Sequence, residues 1–306
     1  MAQSTIVADD KQQPLLTGSF MQKLDRLDVL SRKILAGKLH GERRSKKKGR
    51  SVEFADYRPY TAGDDLRLID WNLYARLDRL FVRLFVAEED LSVSILIDTT
   101  RSMGFGEPDK MAYAKRLVAA LGYIGLVHHN RVSLYSFTDR LVDRLVNLRG
   151  RRLVPQLLGF LRSQQLGHAG DLSAACRAFA LAQPQKGVVV LISDFLDKGP
   201  IDDALRYLNG YLYDVVAIQI LAPQEIDPEA GSIVGDLRLV DCEDDQGVDV
   251  SVGPAMLRRY RANLTSFCDQ LWATCLRRGI EWLAYDTTVP VETLVLRYLR
   301  ERRFLG

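Results

Sequence analysis

Asp98, Thr100 and Ser102 stand two residues apart in LSVSILIDTTRSMGFG, residues 91–106. One carboxylate and two hydroxyls follow directly on an apolar run. Such hard-oxygen donors suit Mg²⁺ or Mn²⁺ better than zinc. A second carboxylate, Asp194, follows another apolar run in GVVVLISDF, residues 187–195. If the two runs are adjacent strands of an open parallel sheet, their carboxyl ends bring Asp98, Thr100, Ser102 and Asp194 to one point. That is where such sheets bind ligands. The loop after Asp98 also leads into a helix N-terminus, rich in free amides. The alternative is a turn in which Asp98 and the hydroxyls satisfy backbone amides.

The elements that would position these residues read as alternating strands and helices. Strands are predicted at 92–97, 132–137, 188–192, 215–221 and 280–284. Helices are predicted at 109–127, 151–161, 172–182, 201–212 and 254–278, with a last one at 290–303 that starts on a proline. Strands that are apolar throughout, such as 187–193, are buried on both faces. The pattern implies a doubly wound, mostly parallel α/β sheet. Residues 222–253 interrupt the rhythm. DLRLVDCEDDQGVDVSV reads as an inserted hairpin turning near Asp245-Gln246-Gly247. Upstream, residues 1–17 have no periodicity and read as a tail. Residues 18–37 carry Phe20, Leu24, Leu27, Leu30 and Ile34 at helical spacing, with Gly37 to end the helix. Alternation returns at 80–86. The expected division is a tail at 1–17, an extension at 18–90 and the α/β domain at 91–306.

Composition narrows the function classes. A chain of 306 residues suits one large α/β domain with additions. A net charge of +3 argues against a protein that coats nucleic acid. The positive charge is local instead: Arg43, Arg44, Lys46, Lys47, Lys48 and Arg50 lie within eight residues. The bland reading is a solvated loop. The sharper ones are a partner surface or, as the rival function, a nucleic-acid-binding module. Arg58 and Arg67 sit among Phe54, Tyr57, Tyr60, Trp71 and Tyr74, a composition typical of protein interfaces. Internal pairing of these charges is the alternative, and Asp70 and Trp71 read as structural.

The four cysteines form no C-x-x-C pair, and Cys268 and Cys275 read as small core residues. No signal peptide and no membrane-length apolar run are evident, so a cytoplasmic location is expected. The Walker-type phosphate loop, the G-x-G-x-x-G fingerprint and the G-x-S-x-G elbow are absent. His128 and His129 end a helix. A triad through Ser102 would need His40 or His168, and no spacing demands it. A non-enzymatic protein is the expectation.

D-T-T-R-S at 98–102, with Ser193-Asp194 after the later strand, resembles the metal-ion-dependent adhesion site of von Willebrand factor A domains. That site also uses a threonine from an intervening loop, which here falls at Gly170; Asp171 could stand in, or could cap the next helix. Restoring a threonine at 170 is then expected to tighten cation binding. HGERRSKKKGRSVEFADYRPYTAGDDLRLIDWNLYARLDRLFVRLFVAEED, residues 40–90, resembles the signature of the bacterial domain of unknown function 58 family, and 285–303 resembles its ending. The resemblance implies the A-type fold and partnership with a MoxR-type AAA+ ATPase. It suggests an adaptor that presents a client protein through the Asp98 loop, the client's carboxylate completing the coordination of Mg²⁺ or Mn²⁺. The uninterrupted run LFVRLFVAEEDLSVSILID suggests that extension and domain unfold together.

Overall fold

The computed structural model describes residues 14–29, 52–87, 91–168, 170–182, 187–197, 199–209, 213–229, 235–240, 247–302 and 304–306. The chain forms two compact units, one of residues 1–36 with 91–306 and one of residues 37–90. The larger begins with α1 (Gly18–Leu24) and resumes at Leu91. The smaller holds β1 (Val52–Pro59), α2 (Trp71–Leu77) and β2 (Phe81–Ala87). After it come β3 (Ser92–Asp98), α3 (Lys110–Val127), β4 (Arg131–Phe137), β5 (Leu141–Leu148), α4 (Val154–Ser163) and α5 (Leu172–Ala182). β6 (Gly187–Ser193), α6 (Ile201–Asn209), β7 (Asp214–Leu221), β8 (Gly235–Val240), β9 (Gly247–Val252), α7 (Pro254–Arg277) and β10 (Glu281–Asp286) complete the sheet and its cover. The chain closes on a helical stretch from Val291 to Glu301 that includes a π-turn.

Six strands form the main sheet in the order β10-β7-β6-β3-β4-β5. All neighbours are parallel except β4 and β5. This is the doubly wound arrangement that the A-type resemblance implies. β3 and β6 lie at its centre and are buried along their whole length. Side chains alternate between the faces. Val93, Ile95 and Ile97 join a core under α1, α3, α4 and the C-terminal helix. Leu96 faces the other core, under α5, α6 and α7. Asp98 has the parity of Leu96.

The strands and main helices fall where the periodicity places them, and the insertion is the antiparallel hairpin β8–β9. Its turn, 241–246, lies outside the described residues. Three expectations change. First, the helix expected over 18–37 ends at Leu24, and Val29 bridges Leu305. Second, α1 belongs with the α/β domain, so the boundary expected at residue 90 does not enclose one extension. Phe20, Leu24 and Leu27 are buried in the main core, and Tyr123 donates to Asp25 at 2.7 Å. Third, the sequence reading places no element at 141–148. β5 forms there as an exposed edge strand whose alternation is masked by Asp143, Arg144 and Asn147.

In the smaller unit β1 and β2 pair antiparallel, with a bulge between Phe54 and Asp56. Asp70 caps α2 by accepting from the amides of Asn72 and Leu73, while its other oxygen accepts from Tyr57 and Arg83. The Arg83 guanidinium is the main reason its carboxyl lies at about 2. Asp70 is structural as expected. Trp71 is not, since it stands 60% exposed.

Candidate functional site

Two strand ends and a fastened loop build the site. Asp98 closes β3. Its Oδ1 accepts from the Thr100 amide at 2.9 Å, and its Oδ2 accepts from the Ser193 hydroxyl at 2.6 Å. Ser193 ends β6 one residue beyond the Ile97–Ile192 pair, level with Asp98. Thr100 Oγ1 and Ser102 Oγ lie 2.9 Å apart. These side chains, with Thr138, Asp194 and Asp197, line a cavity of about 10 Å³, space for one water-sized body; Asp197 accepts from the Leu172 and Gly199 amides.

The loop is fastened at several points. The Gly167 amide donates to Thr99 O at 2.7 Å, and Met103 is buried beneath it. Gln224 exchanges two hydrogen bonds with the Glu107 backbone, and Thr287 donates to Pro108 O. Gly106 takes φ +100°, and a Cβ there would lie 2.3 Å from Ala222 Cβ, so only glycine lets the loop approach this closely.

The two carboxylates have different surroundings. Asp98 has hydroxyl and amide donors. Burial, then the charge of Asp194, push its carboxyl up to about 7. Asp194 accepts from Lys110 Nζ at 2.8 Å through Oδ2 and from the Leu196 amide through Oδ1. Lys110 is the first residue of α3, is 0% exposed, and also donates to Glu225 Oε1. Glu225 lies in the helical turn Pro223–Ile226, where its Oε2 accepts from the Ala222 amide. Burial works against the Lys110 charge, but Asp194 and Glu225 outweigh it and hold the ammonium above its usual range. Burial raises the Glu225 carboxyl against the pull of Lys110.

All four residues predicted to ligate a metal therefore meet, but not equivalently. Asp98, Thr100 and Ser102 converge as oxygen donors with no ammonium or guanidinium on them. Asp194 reaches the cavity with its carboxylate already matched by an ammonium. Among the described residues no three His, Cys, Asp or Glu side chains cluster to hold a metal by themselves, so any ion here would depend on hydroxyls. That suits a small hard cation and not zinc. Asp194 and Glu225 supply two negative charges against one from Lys110, and Asp197 and the ionised form of Asp98 add to the negative side, so a further cation fits the electrostatics.

Gly170 lines the cavity, but a Cβ there would lie 2.5 Å from Thr100 Cγ2. A threonine at 170 would displace Thr100 rather than simply add a hydroxyl. Thr138, one residue past the β4 end that pairs with Asp98, brings a hydroxyl-bearing side chain to the same cavity. Asp171 is the helix cap: its Oδ1 accepts from the Ala174 amide at 2.8 Å.

Sequence reasoning missed Lys110, Glu225, Thr138 and the part played by Ser193. Ser193 and Thr138 were readable from strand order, since one ends β6 and the other follows β4, both beside β3. Lys110 carried a subtler signal. A cation at the first position of a helix opposes the macrodipole and calls for a carboxylate from elsewhere. Glu225, 115 residues further on, gave none.

Of the expected partner-binding residues, Arg43, Arg44, Lys46, Lys47, Lys48 and Arg50 lie outside the described residues. Arg58 is engaged within its own unit, with Asp64 at 2.8 Å and Thr61 at 2.8 Å. Arg67 is exposed on the 3₁₀ turn before α2. His128 caps the C-terminal end of α3, toward the amino ends of the strands and away from Asp98. His40 is outside the described residues. His168 is exposed.

Comparison with known proteins places the chain. An uncharacterized protein of Mycobacterium tuberculosis and one of Mycobacterium bovis are each 29% identical over 288 residues, covering 92% of this chain and 89% of theirs. Among solved structures, the conserved hypothetical protein BatB from Bacteroides thetaiotaomicron superposes with a TM-score of 0.43 at 12% identity, over 70% of this chain and 98% of that one. An aerotolerance-related membrane protein from Bacteroides fragilis gives 0.41 at 16% identity, over 69% and 97%. The family described as "Protein of unknown function DUF58" matches residues 56–267, well over half of the chain, and the chain belongs to that family.

Proposed function

We propose that this chain is a non-enzymatic adaptor that captures a client protein at the Asp98 cavity and works with a MoxR-type AAA+ ATPase. The observation that carries the site is the convergence of Asp98, Thr100 and Ser102 around one small cavity whose negative charge exceeds its positive charge. Mg²⁺ or Mn²⁺ would be held by Asp98, Thr100 and Ser102. Bound there, it would supply the positive charge to which an acidic client side chain is drawn. The chain's own residues do the rest. Ser193 and the Thr100 amide fix the Asp98 carboxylate, and the Gln224 and Thr287 contacts hold the loop at the carboxyl end of the central strands.

A binding role fits the hydroxyl chemistry. The described partner of Ser102 Oγ is the Thr100 hydroxyl, not a base that could activate it. The sequence has no phosphate-cradling loop, so ATP-driven work must come from a partner. The partnership with the ATPase and the client role rest on the family resemblance.

The test is recovery of the wild-type chain and of Asp98→Ala from native lysate, each with Mg²⁺ or with a chelator, followed by identification of what is retained. The ATPase is expected with both proteins, and the client only with the wild type in Mg²⁺. Retention of the same proteins by Asp98→Ala in chelator would contradict the reading, as would ATP hydrolysis by the purified chain alone.

A further inference from the structure

We infer that the Lys110 ammonium is a resident cation of this site, holding Asp194 and Glu225 together and thereby leaving Asp98, of the two strand-end aspartates, as the one open to a metal ion. The inference rests on the reading of the Asp98 cavity as a cation site and says what limits it. Lys110 is buried to the last ångström of surface, and its Nζ lies 2.8 Å from Asp194 Oδ2 and in contact with Glu225 Oε1. Both acceptors are themselves fixed by backbone amides, those of Leu196 and Ala222. An ammonium in this position does for Asp194 what a second ionic contact from a divalent ion would do. It balances the carboxylate at short range, without leaving or being chelated.

The surrounding elements show a position built for that charge. Lys110 is placed by α3, which Asp109 caps through the amides of Met111 and Ala112. A lysine at this first position opposes the helix dipole, and the two carboxylates compensate. Asp194 is placed by the end of β6 and by Gln219, which donates to its backbone carbonyl at 2.9 Å. Glu225 is placed by the turn that follows β7, and Tyr260 of α7 donates to its carbonyl at 2.6 Å. Three separated stretches of chain thus meet on one nitrogen. A carboxylate held this way contributes little to a metal at Asp98, so affinity for divalent ions should be low. The number of carboxylate ligands is a main control on that affinity.

The experiment is Mn²⁺ binding, read by calorimetry and by loss of the free-ion electron spin resonance signal, on folded protein checked by circular dichroism. Lys110→Met alone strands two buried carboxylates and can fail to fold. The informative protein is therefore Lys110→Met with Glu225→Gln, which removes one charge of each sign and frees Asp194. It should bind Mn²⁺ about tenfold or more tighter than the wild type. Adding Asp194→Asn should cancel that gain, whereas Asp194→Asn in the wild type should change affinity less than threefold.

Equal affinity of the double variant and the wild type overturns the role given to Lys110, while wild-type binding lost in Asp98→Asn keeps the cation reading. Binding by the double variant but not by the wild type supports Lys110 as the resident cation and overturns an ion at the natural site. No binding by either protein overturns both.

Discussion

The carboxyl ends of β3 and β6 are neighbours in the sheet, and each delivers one aspartate to the same cavity. At the end of β6, Asp194 meets the ammonium of Lys110, supplied by α3, with Glu225 on that ammonium's other side. At the end of β3, Asp98 meets only hydroxyl and amide donors, and its carboxyl rises to about 7. The same residue type at the same depth is therefore closed in one place and open in the other. A site is marked by the carboxylate the fold leaves unmatched, and counting acidic residues in a motif does not reveal which one that is. The smaller unit gives a third case. Asp70 is matched by Arg83 and two helix amides, and its carboxyl falls to about 2.

The largest effect should come from breaking the closed end. Lys110→Met leaves Asp194 and Glu225 buried without a counter-charge, and should cost about 3–5 kcal/mol of unfolding free energy. Denaturant unfolding measures it, and pairing the change with Glu225→Gln should recover part of the loss. A cost below 1 kcal/mol would mean that the ammonium is not balancing these groups.

The open end should show itself in pH dependence. Asp98 holds its proton more tightly folded than unfolded, so metal-free protein should lose stability as pH rises from about 4 to about 7, at no more than about 1.4 kcal/mol per unit. Asp98→Asn should abolish that slope and be as stable as the wild type at pH 7, or more so. An unchanged slope in the variant would assign the effect elsewhere.

Gly170→Thr sharpens the comparison more mildly. Its Cβ must displace Thr100, so Mn²⁺ binding should weaken severalfold rather than tighten, with a crystal structure showing Thr100 moved. The smallest effect belongs to Asp70, whose depressed carboxyl stabilises the smaller unit above about pH 4 and loses that contribution as pH falls toward 2. Amide exchange of α2 across that range reads it, and Asp70→Asn should remove the dependence. Its sign is opposite to that of Asp98.

Periodicity made most of the larger unit legible, because fully apolar strands such as 187–193 have few alternatives to the middle of a parallel sheet. β5 was hidden because an edge strand needs no apolar face along its length. The premature end of α1 was hidden because Leu27, Leu30 and Ile34 continue the helical spacing past Leu24, while Val29 instead bridges Leu305. Within the site, Asp98, Thr100, Ser102 and Asp194 were legible from strand order and spacing. What sets Asp194 apart from Asp98 was not. Lys110 and Glu225 meet only through folding, across 115 residues, and no local pattern records an ion pair of that kind.

The central claim is that one hard cation binds at Asp98 and not at Asp194. Mn²⁺ soaked into crystals of the wild-type chain, located by anomalous scattering, tests it most directly. The account predicts a single peak within coordination distance of Asp98, Thr100 and Ser102, with the Lys110–Asp194 pair intact. A peak bridging Asp194 and Glu225 with Lys110 displaced, or no peak at saturating Mn²⁺, would contradict it.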